Sequence, residues 1–389
     1  MKGISLFELA GRYGHLIVTL LATSSPKAPL KLFSYQRRLP PLDTLPHTVP
    51  FSDENGKKQQ PYANSINVLY TNDIDVAFRW AQKNLWSDGT NRSSSSSPKV
   101  LGWDMESSPR LPWLEDKYRS DTYFGPATIQ LSTVSESLVL QIAQDQYGPI
   151  YDQTVLPEFI HDILNDHNII KTGVGIDEDM IELYRWCRDL GVSEKHLSWA
   201  TCGDGGNSSS TSTSLSTPPL RRFDIGGIGS TKPGGTIGLA RLVAGVLGVR
   251  IPKSSKLARS HWSAAPLRIK EVDYAARDAW AAAAILHRLN NLDPSRFSPG
   301  SICQRLLDVQ NEENLRSIRD VSDRAVDRRV AKLEWKTLRP QRDAEGNENP
   351  VRTETERARF EFLTETMRAL APMQPISYEI EESLGLKIP

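Results

Sequence analysis

The run Lys99-Val-Leu-Gly-Trp-Asp-Met-Glu106 is apolar and of strand length, and it carries two carboxylates, which is unusual for a core strand. Residues two apart on a strand point to the same face and lie about 7 Å apart along the backbone. Asp104 and Glu106 can therefore reach one metal cluster. An unpaired charge inside a core is costly, so the pair indicates a functional site, with a solvated sheet edge as the alternative.

The segments around this run predict a sheet with helices. Short apolar runs bounded by turn residues indicate strands, and apolar residues at helical spacing indicate helices. Strands are predicted at residues 66–70, 99–106, 127–131, 137–142 and 169–174, and helices at residues 73–85, 157–165, 179–189, 237–247 and 272–289. The sequence therefore predicts an α/β fold.

The chain divides into three predicted regions. Residues 1–60 are expected to form a flexible leader, and residues 61–295 a single domain with a disordered Gly-, Ser-, Thr- and Pro-rich insertion at about residues 204–235. Residues 296–389 are expected to form a charged, partly helical tail. Residues 1–42 hold six basic residues against one acid, which is the charge bias of a mitochondrial targeting segment. A leader without a targeting role is the alternative.

Composition excludes several classes of protein. The chain has 389 residues, of which 39% are hydrophobic, and it holds no apolar run long enough to cross a membrane. Lys plus Arg and Asp plus Glu both total 47, so any binding of nucleic acid requires a local basic patch. The three cysteines are far apart, which fits a reducing compartment and argues against a zinc site. We expect an intracellular protein.

Three further residues carry candidate chemistry. Tyr274 and Asp278 lie four apart in an alanine-rich helical stretch, so both side chains can point into one site. Asp179 follows the strand-like run Lys171-Thr-Gly-Val-Gly-Ile176, in the first turn of a predicted helix. Each has an ordinary alternative: a tyrosine packed on the core, an aspartate on a helix surface, and an acid favoured near a positive helix N-terminus.

Their joint order resembles the DEDD superfamily of 3'-5' exonucleases in its tyrosine-bearing branch. Further stretches resemble the Werner syndrome-type exonucleases, with RNase D as a more distant relative. The similar stretches are Val68-Leu-Tyr70, Val100-Leu-Gly-Trp-Asp-Met-Glu106, Thr128-Ile-Gln-Leu-Ser132, Lys171-Thr-Gly-Val-Gly-Ile-Asp-Glu-Asp179, His261-Trp-Ser-Ala-Ala-Pro-Leu267 and Tyr274-Ala-Ala-Arg-Asp278. The resemblance covers about residues 65–290 and implies a ribonuclease H-like mixed sheet flanked by helices.

The resemblance also implies the chemistry. It makes Asp104, Glu106, Asp179 and Asp278 the ligands of two Mg²⁺ or Mn²⁺ ions, which prefer oxygen donors. Two such ions would activate water and stabilise the departing 3'-oxygen, with Asp104 bridging them and Tyr274 positioning the water. The product would be a nucleoside 5'-monophosphate.

Two departures from the family pattern stand out. Ser107 replaces an aromatic residue, and the insertion separates the second and third motifs. In the sister branch a histidine sits five residues before the last aspartate. Asp273 holds that position here, which favours the tyrosine branch.

A basic stretch between the second and third motifs predicts phosphate contacts. Its alternative is a solvated surface. Two residues beside the first-motif acids, Trp103 and Met105, are predicted to pack near the terminal nucleotide. The full set of expected nucleic-acid contacts is Met105, Trp103, Lys253, Lys256, Arg259, Trp262 and Arg277, and Arg241, Arg250, Arg268 and Lys270 complete the basic stretch.

Three other functions stay open at this stage. One is an RNase D-like enzyme that trims RNA 3' ends, another is a degenerate module that binds nucleic acid without cutting it, and the third is a scaffold whose charged tail is the working part. We expect nucleic acid as the partner, DNA before RNA, together with a helicase or repair protein and no membrane. The nucleus is the expected compartment, with the mitochondrion as the alternative, and the sequence says nothing of oligomeric state.

Overall fold

A computed structural model gives the fold of most of the predicted domain and parts of its flanks. It describes residues 32–45, 51–52, 58–59, 64–86, 98–107, 126–144, 148–149, 156–189, 191–193, 196–200, 222–228, 236–313, 318, 322, 331–332, 334–335, 338 and 353–369.

Strands dominate residues 34–224, where runs of strands are separated by single helices, and the described residues after that are mainly helical. The strands are β1 (Ser34–Leu39), β2 (Phe51–Ser52), β3 (Lys58–Gln59), β4 (Ile66–Thr71), β5 (Lys99–Ser107), β6 (Pro126–Ser132), β7 (Glu136–Gln141), β8 (Ala143–Gln144), β9 (Gly148–Pro149), β10 (Ile169–Gly173) and β11 (Arg222–Asp224). The α-helices are α1 (Ile74–Leu85), α2 (Glu158–Asn165), α3 (Ile176–Asp189), α4 (Leu239–Leu242), α5 (Ser255–Ala258), α6 (Ile269–Leu292), α7 (Pro294–Phe297), α8 (Pro299–Glu313) and α9 (Glu354–Ala369). Short 3₁₀ turns at Ser198–Ala200 and Ile225–Gly227 and a π turn at Val243–Leu247 complete the elements.

Seven strands form one mixed sheet in the order β1-β4-β7-β6-β5-β10-β11. β6 is antiparallel to both of its neighbours, whereas β10 is parallel to β5 and to β11. Numbered in chain order, the sheet strands β5, β6, β7, β10 and β11 stand in the order 3-2-1-4-5 with the second reversed, which is the ribonuclease H-like arrangement. The predicted fold class, a mixed sheet flanked by helices, is confirmed.

Each face of the sheet buries its own core. The long helix α6 packs with β5, β6 and β7 on one face, and α1, α2 and α3 cover the other. The alanines of α6 let it approach closely: a Cβ on Gly102 would lie 1.9 Å from the carbonyl oxygen of Ala279. Only glycine fits at this point of β5, and the residues two and four positions later face the same helix.

Part of the predicted leader belongs to the sheet. Residues 34–39 form the antiparallel edge strand β1 against β4, from Ser34 opposite Thr71 to Leu39 opposite Ile66. Phe33 packs its ring 4.9 Å from that of Tyr70. The expectation of a flexible leader is therefore wrong for these residues, because pairing along β4 outweighs their polar composition. Residues 1–31, which carry the targeting bias, lie outside the described residues.

The predicted insertion also contributes a strand. β11 extends the sheet beside β10, and Phe223 is fully buried in the core under α6. Expecting disorder throughout residues 204–235 was wrong for residues 222–228, since three residues are too few to show a strand pattern among Gly, Ser and Pro. Residues 201–221 and 229–235 lie outside the described residues.

The start of the tail packs on the domain. Ile302 and Leu306 of α8 join the core beneath α6. Further on, the guanidinium of Arg185 in α3 donates to the hydroxyl of Ser322 at 2.7 Å, and Ile318 is buried in the other core. None of the described helices is long and apolar enough to cross a membrane.

Candidate metal centre

Two elements bring three carboxylates together. Asp104 and Glu106 project from β5 towards α6, and Asp278 projects from α6 towards β5. One oxygen atom from each carboxylate can be chosen so that all three lie within 4.8 Å of one another. Asp278 is only 6% exposed, and Asp104 and Glu106 are half-buried. The three predicted ligands therefore form one cluster, named here the acid cluster.

Burial and mutual repulsion raise the pKa of every acid in the acid cluster. Burial is the larger cause for Glu106, and with the charges of Asp104 and Asp278 it raises the pKa of Glu106 to about 10. The pKa of Asp104 is raised well above its usual range by burial and by Asp278. Charged oxygens held this close need a cation to compensate them, as carboxylates sharing one site generally do. All three can serve as hard oxygen donors to a divalent ion.

Asp179 lies beside this cluster at the start of α3. Burial, and after it the charge of Asp104, raises the pKa of Asp179 well above its usual range. Its backbone N–H donates to the carbonyl of Gly175 at 3.3 Å, which begins the helix. Asp179 is not within the 4.8 Å spacing of the other three. The fourth predicted ligand is thus a neighbour that faces the cluster from a separate element.

Tyr274 stands one turn before Asp278 on α6. Its hydroxyl is in hydrogen-bonding contact with the Asp278 carboxylate, and burial together with the nearby carboxylates raises the pKa of the phenol. The phenol and the carboxylate therefore lie on one face of α6, as their spacing of four residues predicts.

The ammonium of Lys253 completes the site. It contacts Oδ2 of Asp278 directly and lies 3.4 Å from the hydroxyl of Tyr274. Lys253 was expected from sequence as a phosphate contact, and the structure places it on the acids instead. Lys256 and Arg259, on and just after α5, are exposed, and their role as phosphate contacts stays a prediction.

Several predicted nucleotide contacts are placed elsewhere. The side chains of Trp103 (1% exposed) and Met105 (8% exposed) point away from the acids into the opposite core, because residues alternate between the two faces of β5. Trp262 (1% exposed) is in the core under α6, and Arg277 is buried and donates to the carbonyl of Pro40 at 3.1 Å. None of these four side chains can offer a surface to a nucleotide in this arrangement.

Two residues near the acids were missed from sequence. Asp224 accepts hydrogen bonds from the backbone N–H groups of Gly226 (2.7 Å) and Gly175 (3.1 Å), which ties β11 to the turn before Asp179. Glu182, one turn after Asp179, accepts a hydrogen bond from the hydroxyl of Ser107. The sequence signal for Asp224 is an aspartate followed, after Ile225, by two glycines, which is typical of a capping residue at a turn.

Comparison with known proteins gives relatives of one kind. No protein-family model matches the chain. R431 of Acanthamoeba polyphaga mimivirus, which carries the name of a 3'-5' exonuclease, is 22% identical over 283 residues, covering 71% of this chain and 60% of the relative. Exonuclease 3'-5' domain-containing protein 2 of Drosophila melanogaster is 31% identical over 143 residues, covering 36% of this chain and 20% of the relative.

Among solved structures, the EXO domain of Aedes aegypti Nibbler has a TM-score of 0.36 at 17% identity, covering 54% of this chain and 86% of that domain. The chain spans less than two thirds of the length of either curated relative. The sequence similarity relates the chain to proteins named as 3'-5' exonucleases.

Proposed function

We propose that this chain is a 3'-5' exonuclease that hydrolyses phosphodiester bonds one nucleotide at a time from the 3' end of nucleic acid. The observation that carries the proposal is the meeting of Asp104, Glu106 and Asp278 within 4.8 Å, from a strand and a helix far apart in sequence. The similarity to chains named as 3'-5' exonucleases supports the same reaction.

The acid cluster would hold a divalent cation. Its donors are all carboxylate oxygens, which suit Mg²⁺ or Mn²⁺ and not the softer ions. A pair of such ions, when bound, supplies an activated water and stabilises the leaving oxygen. Asp179, beside the cluster but outside its 4.8 Å spacing, is proposed to act on a second ion through bound water.

Tyr274 is proposed to hold the attacking water. Because burial and neighbouring carboxylates raise the pKa of its phenol, the hydroxyl keeps its proton at neutral pH. It can orient a water through hydrogen bonds but cannot remove a proton from it. Tyr274, together with Asp273 in place of a histidine, supports the tyrosine branch of the superfamily, and we propose the Werner syndrome-type group within that branch.

The proposed product is a nucleoside 5'-monophosphate, since water would attack the last phosphorus and the 3'-oxygen would depart with the shortened strand. DNA is the proposed polymer, and RNA is the alternative. The exposed Lys256 and Arg259 offer phosphate contacts near the site, and such contacts do not distinguish the two.

Digestion of 5'-labelled strands tests the proposal. A 3'-recessed DNA duplex and a single-stranded RNA are incubated with the protein in Mn²⁺ or Mg²⁺, beside Asp104→Asn and the distant surface variant Asp75→Asn. We expect a ladder that shortens from the 3' end with wild type and Asp75→Asn, and a rate lower by on the order of 10³-fold or more with Asp104→Asn.

The comparison of substrates ranks DNA against RNA. If a folded protein that binds both polymers degrades neither with either metal, the chain is a nucleic-acid-binding module and not a nuclease. Equal rates for wild type and Asp104→Asn would show that the activity does not come from the acid cluster.

A further inference from the structure

The ammonium of Lys253 lies among the oxygens proposed to hold the metal. It contacts Oδ2 of Asp278, is 3.4 Å from the hydroxyl of Tyr274 and lies 5.0 Å from the centre of the tyrosine ring. It also acts on the two acids of β5, because its charge lowers the pKa of both Asp104 and Glu106 against the effect of burial. One lysine therefore compensates charge on all three carboxylates.

A divalent ion and this ammonium need the same acceptor. Asp278 is 6% exposed, so its carboxylate has little access to water and few other partners. An ammonium on Oδ2 takes an electron pair that a metal would use, and two cations on one buried carboxylate repel each other. Binding of the ion therefore competes with the lysine for Asp278 and favours its movement away from that oxygen.

The surroundings of Lys253 permit such a movement. The lysine lies in the irregular segment between the π turn and α5, and its side chain is 34% exposed. Ile251, two residues earlier, is buried in the core, and the hydroxyl of Ser254, the next residue, caps α5. The backbone on both sides is thus anchored, while the four-carbon side chain can swing towards solvent.

We propose that Lys253 is an internal counter-ion of the acid cluster, which a divalent cation displaces from Asp278 and which then binds the phosphate of the 3'-terminal nucleotide. The inference rests on the proposed function and deepens it, since it couples metal binding to substrate binding. In the absence of substrate the lysine opposes the metal. With a phosphate present, the displaced ammonium gains a new anionic partner, and the two ligands bind cooperatively.

Calorimetric titration with Mn²⁺ alone tests the first half of the proposal. Wild type is compared with Lys253→Met, with Lys253→Gln as a second variant in case the first does not fold, and with Lys256→Met, which removes the same charge a few residues away. The titrations are run at pH ~8.5, since metal ligands must be deprotonated. We expect Mn²⁺ to bind Lys253→Met on the order of tenfold more tightly than wild type, within the usual range of coupling between ligands.

The Lys256→Met control distinguishes displacement of Lys253 by the metal from a general effect of removing one positive charge. Lys256→Met should leave the Mn²⁺ affinity within about twofold of wild type, because an exposed charge is screened. Affinity that is unchanged or weaker in Lys253→Met, or equally tightened in Lys256→Met, overturns the proposal. If wild type and all variants bind no Mn²⁺, the proposed function itself fails.

Adding a nucleoside 5'-monophosphate tests the second half. In wild type, AMP or dAMP should tighten Mn²⁺ binding more than it does in Lys253→Met, because only wild type has an ammonium that can move from Asp278 to the phosphate. Lys253→Arg should restore part of this coupling. Equal tightening in wild type and Lys253→Met would show that the lysine does not reach the phosphate.

Discussion

The surroundings of the Tyr274 hydroxyl distinguish two roles: orienting the attacking water and removing a proton from it as a base. The phenol lies beside the Asp278 carboxylate and near the Lys253 ammonium, and its pKa is raised above the ordinary value by burial and by the nearby acids. A phenol in that state donates a hydrogen bond and does not act as a base. Its contribution to catalysis should therefore be orientation of water, which is separable from metal binding.

Replacing Tyr274 with Phe should lower kcat on the order of 10²-fold, which is a common effect of losing one positioned proton donor or acceptor. Mn²⁺ affinity should stay within about twofold, because the carboxylates are untouched. Single-turnover digestion and calorimetry measure the two quantities, with Tyr35→Phe on the exposed strand β1 as the control. A large loss of Mn²⁺ affinity would mean that the phenol supports the metal and not the water.

At the scale of elements, hydrogen bonds between the end of β11 and the turn before α3 hold Asp179 beside the acid cluster. Asp224 at the end of β11 accepts from the N–H of Gly175, whose carbonyl in turn accepts from the N–H of Asp179. Gly175 adopts a φ of 75°, which favours glycine in this turn. The strand that the sequence had hidden in an insertion thus fixes the start of α3 and with it the fourth acid.

Asp224→Ala should remove the carboxylate that accepts hydrogen bonds from two backbone N–H groups. The loss should lower the free energy of unfolding by about 1–3 kcal/mol. It should also weaken Mn²⁺ binding by about 10–100-fold, as loss of an outer-shell partner does. The matched control is Asp73→Ala, which removes the side-chain cap of α1 and should cost about 1 kcal/mol without changing Mn²⁺ affinity. Equal effects of the two variants on Mn²⁺ would contradict this role for Asp224.

The close approach of α6 to β5 gives a second test. Gly102→Ala would place a methyl group 1.9 Å from the carbonyl of Ala279, so α6 must shift, and overpacking of this kind costs about 1–3 kcal/mol or more. The shift would also separate Asp278 from Asp104. Gly238→Ala, where a Cβ meets nothing within 4 Å, is the control. The unfolding temperature and the digestion rate should both fall for Gly102→Ala and should stay unchanged for Gly238→Ala.

At the scale of the whole molecule, the acid cluster is a source of instability when no cation is bound. Because burial raises the pKa values of its acids, the native state holds protons that the unfolded chain has already released. The free energy of unfolding of the metal-free protein should therefore decrease as pH rises above the ordinary carboxyl range and towards the raised values, which for Glu106 is about 10.

Thermal unfolding at pH ~7 to ~9 measures this effect, in a range above the ordinary pKa of histidine. Without metal, Tm should fall across the range, and Mn²⁺ should restore it by binding the native state. Asp104→Asn should flatten the dependence and raise the metal-free Tm by a few degrees while abolishing digestion. A lower Tm in Asp104→Asn would show that the charge of Lys253 stabilises this carboxylate by more than its burial costs.

The central part of the fold and site could be predicted from sequence, because alternation and helical spacing act locally. Asp104, Glu106 and Gly102 share a face simply because they are two apart on a strand, and Tyr274 and Asp278 because they are four apart on a helix. The tertiary partners could not be predicted in this way. Lys253 reaches Asp278 through a turn of the chain, and β11 and β1 form strands only because β10 and β4 offer edges to pair with.

The most direct test of the central claim is identification of the product released from a 3'-labelled strand, with Mn²⁺ present and after its removal by a chelator. We expect labelled nucleoside 5'-monophosphate as the first product of wild type in Mn²⁺, and none with the chelator or with Asp278→Asn. Release that persists without metal, or that is equal in Asp278→Asn, would contradict the assignment of the acid cluster as the catalytic centre.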